Sequence, residues 1–232
     1  MTIYAYQGIS RREIQAVRTT SEGKPYSLDH PKTLVVNMRY AAESRSSANS
    51  QGWERSSSYY FKELQKRHPE YFSKKNIWRI EHGESPRVDA QFVKHFPQYK
   101  GYENQTLIHH HVGKDGQAVA IPQSMHKGSG EIHTYENQLG ITDNAQKFSS
   151  QCKADCQKNP QLIGQSADQF KERHKMENRQ TAVRSENAFT AIKTDLDFRS
   201  VSRQNKNAVT SASKRAQPHK TAGPFRSLSR TE

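Results

Sequence analysis

Cysteine is scarce in this sequence: its 232 residues include two, Cys152 and Cys156. Two cysteines cannot supply the several disulfides that hold small secreted domains together. Their spacing of four would place them on one face of a predicted helix, where they could suit a metal, but a structural zinc site built from cysteine alone needs four. We therefore expect two ordinary cysteines.

Apolar residues are also few. They make up 32% of the chain, and the mean hydropathy is −1.04. No apolar run approaches the roughly 20 residues that a membrane-spanning helix needs, and the segment from Met1 to Tyr6 lacks the features of a Sec-type signal. Because such a chain cannot bury a core evenly along its length, we expect a compact centre between poorly ordered flanks.

Acidic residues are outnumbered by basic ones. The chain has 36 Lys plus Arg against 23 Asp plus Glu, a net charge of +13, and a sequence pI of about 9.7. This balance favours a polyanionic partner, nucleic acid first and an anionic membrane surface second, since contacts with phosphates release counterions and give affinity without sequence preference.

The composition divides the chain into three predicted segments. Residues 1–52 form a polar region of unknown role, with a possible strand at 33–37 and a serine-rich linker at 44–50. Residues 53–150 are dense in aromatic side chains and are expected to form the folded domain. Residues 151–232 are expected to form a basic tail that is partly helical and then disordered.

The last part of the tail is strongly basic. From Phe198 to Glu232 it carries one acidic residue, Glu232, and eight basic ones, at positions 199, 203, 206, 214, 215, 220, 226 and 230. It could serve as a nucleic-acid arm, as a translocation signal or simply as a solvated tail. Before it, an amphipathic helix is predicted from Ser166 to about Asn178.

Three short helices are predicted at the start of the folded domain. Their N-caps would be Ser58, Ser73 and Asp89. Residues that stop helices follow each of them: Pro69, Gly83 and Pro97. Aromatic and aliphatic residues recur at helical spacing between these caps, so we expect them to pack a core rather than to stack on nucleic-acid bases.

Histidine is concentrated in one region: six of the 11 histidines lie between His95 and His133. The apolar residues 106–108 predict a strand running into the histidines, 114–116 predict a turn, and 117–121 predict a second strand. Pro122 suits the first turn of a helix that would bring His126 back towards this hairpin. The glycine-rich residues 127–130 interrupt that helix before His133.

A hairpin with adjacent histidines, followed by a helix with another, can enclose a divalent cation and leave one imidazole free. Two or three imidazole ligands leave coordination positions open, as in catalytic metal sites. The cation would hold a scissile phosphate while the free imidazole takes a proton from water. Phosphodiester hydrolysis requires both the bound phosphate and the activated water.

This region resembles the HNH/endonuclease VII superfamily of ββα-metal nucleases, most closely the toxin members of the HHH type (Tox-HNH-HHH). The resemblance covers about residues 53–142 and lies in 107–113, 116–122, His126 and 128–133. It implies an α+β fold: a mostly helical small domain with a ββα-metal (HNH) hairpin-helix active site, flanked by poorly ordered basic segments.

The resemblance also implies roles for the histidines. His110 would bind the metal, His111 would be the general base, and His109 would support them from the position before the pair. His126 would be the first helix ligand and His133 the last, at a longer interval than usual. Because side chains alternate along a strand, His109 and His111 share a face, so a register shift by one is an alternative.

The predicted function is a metal-dependent endonuclease that cuts DNA without sequence preference, with RNA as the other possible substrate. Its cofactor would be one divalent metal ion, Mg²⁺, Zn²⁺ or similar, and Lys114 and Lys127 would contact the nucleic acid. Two alternatives remain: a nucleic-acid-binding protein with a structural histidine metal site and no catalysis, or a phage or housekeeping HNH nuclease.

The resemblance further predicts an antibacterial or host-directed toxin. It implies a cognate immunity protein, which we expect to be acidic where it covers the basic cleft. We expect secretion by a specialised, non-Sec system and action in the cytoplasm of a target cell; otherwise the protein would be cytoplasmic.

Overall fold

The computed structural model of the chain describes residues 2–42, 47–126 and 131–214. Its contacts separate one compact unit, Met1–His174, from a second unit, Lys175–Glu232. The fold is α+β and mostly helical, as the sequence predicts.

The regular elements of the described residues are short until the C-terminal third of the chain. The helices are α1 (Arg11–Gln15), α2 (Ser57–Arg67), α3 (Lys74–Glu81), α4 (Ala90–His95), α5 (Gln123–His126), α6 (Glu131–Gln138), α7 (Ile141–Lys158) and α8 (Ala167–Lys214). The strands are β1 (Arg18–Thr19), β2 (Pro25–Tyr26), β3 (Val36–Asn37), β4 (Leu107–His111) and β5 (Gln117–Pro122).

Side-chain caps fix the starts of the helices that precede the hairpin. Ser73 and Asp89 each accept a hydrogen bond from the amide three residues later, so the predicted N-caps of α3 and α4 are confirmed. The predicted cap Ser58 is wrong, because Ser56 accepts the corresponding bond and α2 begins two residues earlier than predicted. Successive serines offer the same capping chemistry, and the chain uses the first.

The predicted hairpin is present and forms part of a three-stranded antiparallel sheet in the order β3-β5-β4. His110 pairs with Val119 in the hairpin, and Val36 of β3 pairs with Ala118 on the other edge of β5. Strand β5 is buried along its whole length, as expected for the central strand. Pro122 ends β5 instead of opening the helix, so α5 starts one residue later than predicted.

The N-terminal region contributes to the main hydrophobic core, a role that its polar composition did not predict. Leu28, Leu34 and Val36 are fully or almost fully buried, in the same cluster as the aromatic residues of α2 and α4. The predicted divisions at residues 52 and 150 therefore fall inside the compact unit, because apolar residues on both sides of each share a core.

A second core cluster lies beneath the hairpin turn. It centres on Trp53, which is fully buried and stacks on Phe148 at a ring-centroid distance of 5.9 Å. A Cβ atom at Gly116 would lie 2.6 Å from the Trp53 ring, so only glycine fits at this point of the turn. Cys152 and Cys156 are free thiols buried in this cluster.

Helix α8 is much longer than predicted. It begins at Ala167 and continues to Lys214, whereas the sequence predicted an end near residue 178 and a disordered tail from 198. The backbone of 198–214 is helical, and the basic residues 215–232 lie outside the described residues. Among the helices that are described, none is long and apolar enough to cross a membrane.

Candidate metal centre

Three histidines from different elements meet at one end of the hairpin. His110 comes from β4, His126 from the end of α5, and His133 from α6. One ring nitrogen of each lies within 4.8 Å of the corresponding nitrogens of the other two. Of the three successive histidines on β4, His110 is the one that joins this cluster.

Glu136 lies behind the cluster and connects its parts. Its Oε1 accepts hydrogen bonds from His110 Nε2 at 2.8 Å and from the Gly113 amide at 3.0 Å, and its Oε2 accepts one from His133 Nδ1 at 3.0 Å. Burial alone would raise the pKa of this carboxyl. The charge of His110 and the bonds from both imidazoles outweigh that cost and lower the pKa to about 2.

The charged carboxylate determines which imidazole nitrogens remain free. Since a carboxylate only accepts hydrogen bonds, His110 Nε2 and His133 Nδ1 must carry protons. In the neutral rings, the lone pairs then lie on His110 Nδ1 and His133 Nε2. His110 Nδ1 is buried and has no hydrogen-bond partner among the described residues.

These nitrogens fit a divalent cation. His133 Nε2 lies 3.1 Å from His126 Nε2, and two nitrogens bound to one tetrahedral zinc ion lie roughly 3.3 Å apart. That spacing alone would also suit a hydrogen bond between two rings, so the fit rests on the third donor, the unpartnered His110 Nδ1. Three protein ligands leave a coordination position open, as in catalytic sites.

His111 lies on the opposite face of β4 from His110. Its Nδ1 donates a hydrogen bond to the main-chain carbonyl oxygen of Asp115 at 2.6 Å, while its Nε2 has no partner among the described residues. Burial, reinforced by the charge of His109, lowers the pKa of His111 to about 3. The ring is therefore neutral near pH 7, the form that can accept a proton.

His109 supports this side of the strand. Its ring stacks on Tyr60 at a centroid distance of 5.8 Å and meets the His111 ring edge-on at 5.4 Å. Burial lowers its pKa to about 4. Its edge-on contact limits the rotation of the His111 ring, and near pH 7, well above its own pKa, His109 adds no positive charge there.

A cleft of about 760 Å³ opens over these histidines. His126 and His133 line it together with His109 and His111, whereas His110 is completely buried and does not. Two members of the cluster and the free imidazole therefore face one space. The other lining residues are Asn49, Ser50, Arg55, Ser57, Ile108, Lys114, Thr134 and Asn137. The predicted nucleic-acid contact Lys114 therefore lies at the cleft, whereas Lys127 lies outside the described residues.

Sequence reasoning missed two charged residues of this site. Glu136 follows His133 at a spacing of three on a helix, which places both on one face, and this signal could have been used. Arg55 had no comparable signal. It precedes α2, and only the folded chain brings it to the cleft beside His109 and His111, where its charge adds to the lowering of both pKa values.

Comparison with known proteins finds a family model that matches part of the chain. Residues 32–134 match the family model of HNH/Endo VII superfamily nuclease toxins with a HHH motif. No curated protein and no solved structure gives a significant match to the chain. The matched region includes strand β3, the hairpin and all five histidines of the site. This region of the chain is thus similar to the HNH/Endo VII superfamily nuclease toxins with a HHH motif.

Proposed function

We propose that this nuclease toxin region is a metal-dependent endonuclease that hydrolyses phosphodiester bonds in DNA without sequence preference. His110, His126 and His133 would hold one divalent cation, Mg²⁺, Zn²⁺ or similar. When bound, such a cation polarises a phosphate and offsets the charge that develops on the leaving oxygen. The observation that carries the proposal is the convergence of these imidazoles, two of which line a cleft that also contains a separate neutral imidazole, His111.

His111 is the general base in this proposal. Its Nδ1 proton is held by the Asp115 carbonyl oxygen, so the lone pair stays on Nε2, the nitrogen that takes a proton from the attacking water. Because burial disfavours the imidazolium, the ring also gives that proton up readily after the bond is broken. His109 keeps the ring of His111 in place by the edge-on contact.

Basic residues at the cleft would bind the nucleic-acid backbone. Arg55 and Lys114 both line it, and a guanidinium can hold two phosphate oxygens at once. Lys127 is proposed as a further contact. Contacts with phosphates carry no sequence information, so cleavage by this means would have no sequence preference.

The family supports a role as an antibacterial or host-directed toxin. We propose that the protein is delivered by a specialised, non-Sec system and acts on DNA in the cytoplasm of the target cell. A cognate immunity protein with an acidic surface would protect the producing cell, since the cleft that it must cover carries Arg55 and Lys114.

Incubation of supercoiled plasmid with purified protein and Mg²⁺, Mn²⁺ or Zn²⁺ tests the proposal. We expect the wild type to nick and then linearise the plasmid, and His111→Ala to be slower by about 10² to 10⁴, the usual contribution of a general base. His82→Ala is the matched control, because His82 is an exposed histidine at the end of α3. It should cleave like the wild type.

Each other outcome has a definite meaning. If the wild type leaves plasmid and RNA intact with every metal, the protein is not a nuclease. That result would favour the alternative of a nucleic-acid-binding protein with a structural metal site. If it degrades RNA and leaves plasmid intact, the assignment to DNA is wrong. If His111→Ala cleaves as fast as the wild type, another group is the base.

A further inference from the structure

The carboxylate of Glu136 is the group behind the metal cluster to which neither the sequence nor the family assigns a role. Its side chain is completely buried, and His110, with which it pairs, is also completely buried. A charged carboxyl without close partners would be very costly at such a position. The three N–H groups that converge on Glu136 offset this cost, and each belongs to a different part of the site.

We propose that Glu136 is the positioning residue of the metal centre: it fixes the tautomers of two ligands so that their free lone pairs face the cation. This inference rests on the proposed metal site. Glu136 accepts hydrogen bonds from Nε2–H of His110 and from Nδ1–H of His133, which leaves His110 Nδ1 and His133 Nε2 unprotonated. Each ring is also oriented by the bond that fixes its tautomer.

The same carboxylate supplies charge. The three imidazole ligands are neutral when they bind a cation, so the site has no negative ligand of its own. Glu136 places one negative charge directly behind two of them, where a low dielectric strengthens its attraction for a divalent ion. It also makes the imidazoles more basic ligands.

Glu136 further connects the cluster to the hairpin turn. The Gly113 amide donates to the same oxygen as His110 Nε2, at 3.0 Å. Gly113 lies two residues after His111 and two residues before Asp115. The main-chain carbonyl oxygen of Asp115 accepts a hydrogen bond from the imidazole of His111. One carboxylate thus holds the strand ligand, the helix ligand and the turn that orients the proposed base.

Glu136→Gln separates this role from simple packing. The amide has nearly the same shape, but it presents one oxygen and one NH₂ group. The NH₂ group would face an imidazole N–H, unless that ring moves its proton to the nitrogen that faces the cation. Either arrangement weakens metal binding while preserving most of the packing.

Titration of the full-length protein with Co²⁺, in competition with a chromophoric chelator, measures this effect. We expect Glu136→Gln to bind Co²⁺ about 10- to 100-fold more weakly than the wild type, the usual effect of losing such a partner. Glu81→Gln is the control for the same chemical change at an exposed position in α3, and it should bind like the wild type. At saturation the Co²⁺ absorption bands of Glu136→Gln should match those of the wild type.

Three results would overturn the inference. Wild-type affinity in a folded Glu136→Gln would show that the carboxylate does not position the ligands. Shifted absorption bands at saturation would make Glu136 a ligand itself. A wild type that binds no Co²⁺ or Zn²⁺ would instead refute the metal site of the proposed function.

A second measurement needs no variant and no metal, so it remains decisive if Glu136→Gln does not fold. Nitrogen-proton correlation spectra of the metal-free wild type at pH 8 report the tautomer of each histidine. We expect His110 to carry its proton on Nε2 and His133 on Nδ1. The opposite tautomer at either residue would show that Glu136 does not set it.

Discussion

Two residues that bond the adjacent histidines of β4 carry buried carboxyl groups, and the pKa values of these carboxyls are shifted in opposite directions. Glu136 lies behind His110, and its pKa is lowered to about 2. Asp115 bonds His111 through its main-chain carbonyl oxygen, and the pKa of its carboxyl is raised from 3.8 to about 7. The group that bonds His110 is therefore a charged carboxylate, whereas the residue that bonds His111 carries a carboxyl that is largely protonated below neutral pH.

The difference comes from the charge of His110 and from the imidazole donors beside Glu136. Glu136 accepts three hydrogen bonds at 2.8 to 3.0 Å, two of them from imidazoles. Burial dominates at Asp115, whose Oδ1 accepts a longer bond from Ser149 at 3.3 Å and whose Oδ2 has no partner among the described residues. Depth of burial alone does not decide the charge of a carboxyl.

This contrast matches the two roles proposed for the histidines. A negative charge beside His110 and His133 favours a cation at the cluster. The group that holds His111 is the neutral main-chain carbonyl of Asp115, and its bond favours the protonated ring by less than burial and the charge of His109 disfavour it. A base must begin each cycle without its proton.

The largest expected effect is on plasmid cleavage, and it separates the proposed base His111 from the proposed metal ligands. His111→Ala should lower the turnover of plasmid cleavage by about 10² to 10⁴ and leave Co²⁺ affinity unchanged, because the base does not bind the metal. His126→Ala should lose Co²⁺ binding and cleavage together. Cleavage rates measured beside chelator competition test this, and loss of metal binding in His111→Ala would contradict the separation.

The pH dependence of the free energy of unfolding tests the raised pKa of the Asp115 carboxyl. The unfolded chain releases this proton near pH 3.8 and the folded chain near pH 7, so the contribution of the group falls as pH rises between these values and is constant above them. The loss is on the order of 4 kcal/mol, at about 1.4 kcal/mol for each pKa unit. Other groups titrate in this range, so the wild type must be compared with a variant.

Asp115→Asn is that variant. Urea unfolding of the metal-free proteins from pH 4 to pH 8 should show the wild type losing stability relative to Asp115→Asn as pH rises. A difference between the two proteins that stays constant with pH would mean that Asp115 has an ordinary pKa.

Metal should stabilise the folded protein by binding at the three-histidine cluster beside Glu136, and the state of Asp115 should not matter. Zn²⁺ at 100 times its dissociation constant should add about 2.7 kcal/mol of stability to the wild type and to Asp115→Asn. His126→Ala should gain nothing at that concentration. Thermal unfolding with and without Zn²⁺ measures these differences, and an equal gain in His126→Ala would place the bound metal elsewhere.

The smallest predicted effect concerns the turn between the two faces. Gly113 has a φ of 61°, and a Cβ atom there would lie 2.9 Å from the Ile141 carbonyl oxygen. Gly113→Ala should therefore cost about 1–2 kcal/mol of stability, through its backbone conformation and this contact. Urea unfolding measures it, with Gly83→Ala, also at positive φ but with open space around it, as the control for conformation alone.

Local signals account for the parts of the fold that could be predicted. Ser73 and Asp89 cap helices because their side chains bond amides three residues away. The hairpin follows from apolar strands on either side of a turn that contains Gly116. Such features depend on residues close in sequence, so they can be predicted from the sequence alone.

The remaining features depend on contacts between distant segments. Glu136 bonds His110, 26 positions earlier, and β3 pairs with a strand far along the chain. Arg55 reaches the cleft only because α2 packs beside the hairpin. No pattern within a short window could have predicted these contacts, although the i, i+3 spacing of His133 and Glu136 was visible.

Crystals of the protein soaked in Zn²⁺ and measured at the zinc absorption edge would test the central claim most directly. We predict an anomalous peak from one zinc ion bound by His110 Nδ1, His126 Nε2 and His133 Nε2, each at about 2.0–2.1 Å. His111 should lie outside its coordination. The absence of a peak among these three nitrogens, or a peak at His111 or at the buried cysteines instead, would contradict the account.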